Sequence, residues 1–243
     1  YLRDQGFVLY PHTYSIGADS VGTMSRVLNI STSFGGDYRK GVSGDGVVQN
    51  TLQELGYSTY GIFPSDYMFQ GVSPRYDVFF PKIKGGAFWN LASVVLIGEF
   101  RFDLGFTEQS HDQYVENKQN ILGSAAGKQV FLYSHTNIPN HSQNSGTCLS
   151  EETSLYAERL ERANLEMQAD IRIINQVDPG AIVIVAGDHG PYLTKNCYNT
   201  GDDYDLSLIH ISEPTRLLSI SYAVFCLKKK TTTQTIIYST TQI

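Results

Sequence analysis

The chain has 243 residues, of which 41% are hydrophobic, and a formal net charge of −6. This length is sufficient for one large domain with a full hydrophobic core. The acidic balance excludes nucleic acid and anionic membrane surfaces as favoured partners, because both need clustered Lys and Arg.

The N-terminal stretch predicts the end of a helix, a stop at Gly6 and a short strand up to residue 10. A Gly- and Ser-rich turn over 14–22 then leads into a run with helical potential. Hydroxyl groups therefore lie near a helix N-terminus, where unpaired amides and the positive dipole favour a bound phosphate or sulfate. A Ser or Thr N-cap without chemistry is the commoner role, so the turn alone is weak evidence.

The next part of the chain alternates helix and strand signals. Apolar residues at helical spacing over 44–56, followed by a β-rich run over 57–63, predict a helix, a Gly stop and a strand. Residues 64–127 are broken by Pro and Gly, and a short apolar helix is predicted over 88–100. We interpret the aromatic residues between 57 and 89 as cover for one sheet face, in preference to a substrate cleft.

Two apolar strands are predicted to end in imidazoles. A strand over 128–133 runs into a loop with His135 and His141, and a long amphipathic helix over 150–177 follows it. Residues 181–186 predict a fully buried, parallel, central strand that ends in Asp188 and His189. Ligands bind at the carboxyl ends of such strands, and these two side chains suit a divalent metal. The alternative is a strand that ends in an ordinary polar turn.

The hydroxyl turn, the His-containing loop, the long helix and Gly-Asp-His-Gly at 187–190 occur in this order. Together they resemble the alkaline phosphatase-like superfamily, and most closely the sulfatase-like domains of bacterial membrane proteins. The resemblance implies an α/β fold over residues 1–205, with a doubly wound, mostly parallel sheet flanked by helices. We also expect truncation at both ends, since an N-terminal strand with a metal-binding Asp and a later C-terminal ligand of the family are missing.

The resemblance assigns a nucleophile to the hydroxyl turn. Ser20 and Thr23, with Leu28 and Asn29 further on, fit the family's register of a nucleophile, a hydroxyl residue three positions on and a Leu-Asn pair. Ser20 is therefore the expected nucleophile and Thr23 the alternative, although the nearest relatives usually carry Thr at the first position.

The resemblance also assigns the ligands. Asp188 and His189 are expected to hold a divalent ion, which is Zn, Mn, Ca or Mg. His141 corresponds to the second His of a His-Pro-His loop, with one extra residue after Pro139, and is expected to bind the transferred group. His135 is given a supporting role in substrate binding.

The implied activity is that of a metal-dependent hydrolase or transferase acting on phosphate or sulfate esters, of a lipid or a glycan. The alternatives are a lipid head-group phosphotransferase in cell-envelope glycan modification and a non-catalytic domain of the same fold. The full-length parent is expected at the cell membrane or outside the cytoplasm, with membrane association through segments missing here. This fragment is expected to be inactive.

Residues 206–243 resemble a translated sequencing-library adapter, with two fixed blocks at 206–216 and 220–230 separated by three variable residues. We therefore expect a non-native, disordered tail that takes no part in the fold. Without it the chain has 14 basic and 23 acidic residues, a net charge of −9. Cys148 and Cys197 remain, and both a disulfide between them and two free thiols are compatible with the sequence.

Overall fold

The computed structural model describes residues 1–10, 15–17, 19–82, 107–140, 152–189 and 222–228. Its strands are β1 (Ser58–Ile62), β2 (Val78–Phe80), β3 (Val130–His135), β4 (Ala181–Gly187) and β5 (Tyr222–Lys228). Its α-helices are α1 (Ser20–Leu28), α2 (Tyr38–Lys40), α3 (Val47–Glu54), α4 (His111–Gly123) and α5 (Glu152–Val177). Shorter helical turns cover Arg3–Gln5, Gly41–Asp45 and Asp66–Phe69. The predicted α/β class is confirmed at this level.

The described strands form one sheet in the order β2-β1-β3-β5-β4. β1 is parallel to both β2 and β3, so these three strands end at the same edge of the sheet. β5 is antiparallel to β3 on one side and to β4 on the other. β3 and β4 therefore run in the same direction, and the candidate residues that follow them lie at one edge.

Side-chain alternation along β3 separates two hydrophobic cores. Val130 and Leu132 pack with residues of α4 and α5 on one side of the sheet. Phe131 and Tyr133 pack on the other side with α1 and with aromatic residues such as Phe63. Several of the aromatic residues after position 57 are in this second core, in agreement with their interpretation as cover for a sheet face.

The elements with the clearest periodicity are confirmed. The predicted helix and strand over 44–63 are α3 and β1, and the strand predicted over 128–133 is β3. The helix predicted over 150–177 is α5, and its apolar stripe is buried at Tyr156, Leu160, Ala163, Met167, Ile171 and Ile174. The predicted stop at Gly6 is present, with a left-handed φ of 84° at the end of a short 3-10 turn. The strand predicted up to residue 10 is not formed, because residues 7–10 pair with none of the described strands.

The prediction of a fully buried, parallel, central β4 is wrong. β4 lies at the edge of the described sheet and pairs with β5 in antiparallel fashion. Its odd-numbered residues Val183 and Val185 pack on the core beneath α5, whereas Ile182 and Ile184 on the other face are 42% and 43% exposed. Only one face of the strand is covered by described residues, although its composition is that of a strand buried on both faces.

Part of the C-terminal tail forms a strand. Residues Tyr222–Lys228 form β5, which fills the space between β3 and β4. The segment is rich in β-branched and aromatic residues, and the backbones of β3 and β4 both offer it hydrogen-bonding partners. The rest of the tail and the helix predicted over 88–100 lie outside the described residues, and the non-native origin of the tail stays a prediction.

None of the helices in the described ranges is both long and apolar enough to span a membrane.

Candidate functional site

The hydroxyl turn ends at the N-terminus of α1. Ser20 is the first residue of this helix, and its N-cap is Asp19, whose Oδ1 accepts a hydrogen bond of 2.7 Å from the Gly22 amide. A Cβ atom at Gly22 would lie 2.7 Å from Asp19 Oδ2, so glycine is needed for this cap. Because Asp19 caps the helix, the Ser20 hydroxyl is not used as an N-cap.

Asp188 and His189 follow the carboxyl end of β4 and are buried, with exposed fractions of 2% and 9%. The backbone amide of His189 donates to Asp188 Oδ1 at 2.9 Å, which fixes the carboxylate. His189 Nε2 lies 3.3 Å from Ser20 Oγ, within hydrogen-bonding distance. The fold thus brings together a predicted nucleophile and a predicted ligand that are 169 residues apart.

His135, the last residue of β3, lies on the other side of Asp188. Its Nε2 is 3.7 Å from Asp188 Oδ2, and its Nδ1 is 3.4 Å from the Tyr133 hydroxyl. Burial lowers the pKa of the His135 imidazole, and the carboxylate of Asp188 offsets part of this shift. The ring is therefore neutral at neutral pH, which is the form that binds metals and accepts hydrogen bonds.

Thr23 occupies a more enclosed position than Ser20. It is 2% exposed, its Oγ1 lies 3.3 Å from Ser15 Oγ, and a Cβ atom at Gly17 would lie 2.7 Å from Oγ1. Ser20 is only partly buried. Of the two predicted hydroxyls, Ser20 is the one that contacts a candidate ligand and keeps access to solvent.

Ser15 is a site residue that the sequence analysis did not single out. Its hydroxyl donates to the backbone carbonyl of Asp188 and also contacts Thr23, and so ties the hydroxyl turn to the end of β4. Its place in the Ser- and Gly-rich turn is the one signal in the sequence that points to it. His141, Cys148 and Cys197 lie outside the described residues.

The described side chains fit a divalent metal in pairs. Asp188 Oδ2 is 3.6 Å from His189 Nε2 and 3.7 Å from His135 Nε2. Two ligands of a tetrahedral ion are about 3.4 Å apart when each lies about 2.1 Å from it, so either pair is spaced for a shared ion. However, no group of three or more His, Cys, Asp or Glu side chains within the described ranges is arranged to hold one. The described residues therefore offer pairs of side chains at ligand spacing, and no complete set of ligands.

The site thus combines a hydroxyl at a helix N-terminus, two buried imidazoles and a buried carboxylate at the carboxyl edge of the sheet. Such groups can bind an anionic ester and activate a hydroxyl toward it. Comparison of the chain with protein-family models, with curated proteins and with solved structures finds no match.

Proposed function

We propose that the chain carries part of the active site of a metal-dependent hydrolase or transferase that acts on phosphate or sulfate esters through Ser20. The observation that supports this most directly is the 3.3 Å contact between Ser20 Oγ and His189 Nε2. We propose for the domain a doubly wound, mostly parallel sheet of the alkaline phosphatase-like type, with residues 206–243 as a non-native tail.

Each described group has a role in this proposal. Asp188 with His189 or His135 would hold the divalent ion, which would supply Lewis-acid chemistry and lower the pKa of a nearby hydroxyl. The Ser20 oxygen, having lost its proton to solvent, would attack phosphorus or sulfur as the bond to the ester oxygen breaks, and the leaving oxygen would take a proton from water. The group would be carried on Ser20 until water or a second alcohol accepts it.

The N-terminus of α1 supports binding of the transferred group. The first amides of a helix have no intrahelical acceptor, and of these only the Gly22 amide is bound among the described residues, by the Asp19 carboxylate. The amides of Ser20 and Val21 are therefore suited to the equatorial oxygens, on which negative charge develops in the transition state. Asp19 also adds negative charge beside this site, so an incoming anion needs the compensation that a cation at Asp188 would provide.

The test begins with the natural gene, which has to be sequenced beyond the present ends of the chain. The encoded protein is then assayed on an aryl phosphate, a phosphodiester and an aryl sulfate, with and without chelator. We expect turnover that chelator abolishes and that Ser20→Ala lowers on the order of 10³-fold or more, because the covalent route is lost. Ser33→Ala is the matched control, since this serine is exposed and lies in the turn that follows α1.

Other outcomes redirect the proposal. If Ser20→Ala were fully active, Thr23 would be assigned as the nucleophile instead of Ser20. Turnover that survives chelator but needs both Ser20 and His189 would replace the metal mechanism by direct proton transfer from Ser20 to the imidazole. A protein inactive on all three esters would favour the lipid head-group phosphotransferase or the non-catalytic domain.

A further inference from the structure

The end of β3 is held from the face of the sheet opposite to the candidate site. Alternation along the strand places Tyr133 and His135 on the side of the site and Ser134 on the side of α4. On that side the hydroxyl of Tyr114 lies 2.7 Å from Ser134 Oγ, and both residues are 1% exposed. Tyr114 therefore contacts the residue that directly precedes His135 in β3.

The ring of Tyr114 is itself fixed by charged groups. Lys118 Nζ lies 5.0 Å from the centroid of the ring, one turn further along α4. The same Nζ is 2.6 Å from Asp170 Oδ2 on α5, and both side chains are 1% exposed. Buried charges are costly to separate, so the ion pair keeps the ring and its hydroxyl in one position.

We propose that Tyr114 is a positioning residue that sets the location of the His135 imidazole relative to Asp188. This inference rests on the proposed function in so far as His135 belongs to the metal and substrate site. The Tyr114 hydroxyl holds the side chain of Ser134, the residue before His135. On the other face of the strand, His135 Nε2 lies 3.7 Å from Asp188 Oδ2. A small shift of this strand end changes that separation directly.

The experiment compares Tyr114→Phe with the unaltered chain of 243 residues. We expect Zn²⁺ affinity, measured by calorimetry with the metal alone, to fall by about 10- to 100-fold, as for loss of other groups that orient metal ligands. The side-chain NMR signals of His135 should shift at the same time. Ser134→Ala removes the other partner of the same hydrogen bond and should reproduce both changes.

The matched control is Tyr76→Phe, which removes another buried tyrosine hydroxyl. That hydroxyl donates to the carbonyl of Val42 at 2.8 Å and accepts from the side chain of Gln49, and among the described residues it makes no hydrogen bond to β3. A purely structural effect would act alike in both variants, so Tyr76→Phe should lower the unfolding temperature but leave Zn²⁺ affinity and the His135 signals unchanged.

The proposal is overturned if Tyr114→Phe leaves the His135 signals in place, or if Tyr76→Phe shifts them equally. If the unaltered chain binds no Zn²⁺, the metal part of the proposed function fails in this chain, and the NMR comparison alone decides the role of Tyr114. The two failures are therefore distinguishable.

Discussion

Lys118 and Asp170 form a buried ion pair whose contribution to stability can be measured residue by residue. The Nζ–Oδ2 distance is 2.6 Å, and both side chains are almost completely enclosed. Removing one partner leaves an uncompensated buried charge, so we expect Lys118→Met to lower the free energy of unfolding by about 3–5 kcal/mol in urea denaturation. Lys118→Met with Asp170→Leu should recover most of this loss. A loss below about 1 kcal/mol for the single variant would contradict the assignment of a buried pair.

The buried carboxyl of Asp66 should make the stability of the fold depend on pH. Burial raises the pKa of its carboxyl above the ordinary 3.8, against opposing hydrogen bonds with Thr107, and Oδ1 has no partner among the described residues. The pKa of Asp66 is higher in the folded state than in the unfolded state, so the protonated carboxyl stabilises the fold. This stabilisation is fully present below pH 3.8 and is lost as the pH rises through the folded-state pKa.

Asp66→Asn stays neutral throughout this range. The variant should therefore gain stability relative to the unaltered chain as the pH is raised from 3 to 7, measured by thermal unfolding at each pH. A stability difference that is independent of pH would show that Asp66 has the same pKa in both states.

At the scale of elements, the best-predicted parts are those whose signal is local. The stripe of α5 follows from residues three and four positions apart, and the N-terminus of α1 follows from a turn that ends in Asp19 and Ser20. The position of β4 could not be predicted in this way, since it depends on which strand lies beside it. An apolar, β-branched segment has the same appearance at the centre and at the edge of a sheet.

Gly61 in β1 leaves room for two aromatic rings that pack against the strand. A Cβ atom at Gly61 would lie 2.6 Å from Tyr76 Cδ2 and 2.9 Å from Phe63 Cε2. We expect Gly61→Ala to lower the free energy of unfolding by about 1–3 kcal/mol, because both rings are held in the core. Gly123→Ala is the matched control, since a Cβ atom there has no neighbour within 4 Å, and it should be neutral or stabilising in the same chemical denaturation experiment. Equal effects of the two substitutions would refute the close approach at Gly61.

At the scale of the whole molecule, the part of the sheet that the structure describes is continuous only through β5. This strand connects the parallel strands β1, β2 and β3 to β4, and its Phe225 lies between Tyr133 and Ile184 in the pairing register. The resemblance of residues 206–243 to adapter sequence predicts instead a tail without a structural role. The two descriptions give opposite expectations for a substitution in β5.

Phe225→Pro removes a backbone donor from the middle of β5 and introduces a ring that the ladder cannot accommodate. From the observed pairing we expect a loss of about 3 kcal/mol or more, and faster amide hydrogen exchange in β3 and β4. Unchanged exchange would mean that the sheet does not depend on this strand and would support the expectation of a dispensable tail. Sequencing the natural gene provides the independent check, since a non-native tail predicts different residues after position 205.

The sequence by itself determined the α/β class, the long helix, the strand β3 and the candidates Ser20, Asp188, His189 and His135. The elements depend on local composition and periodicity, and Asp188 and His189 on their place at a strand end, whereas the roles of Ser20 and His135 are what the family resemblance implies. Only the tertiary structure decided that Ser20 contacts His189, that Thr23 is enclosed, and that Ser15 and Tyr114 act on the ends of β4 and β3. The reason is that contacts between residues in different elements, 20 positions apart for Tyr114 and Ser134 and 169 for Ser20 and His189, depend on strand order and on which side chains are buried, and no local pattern encodes either.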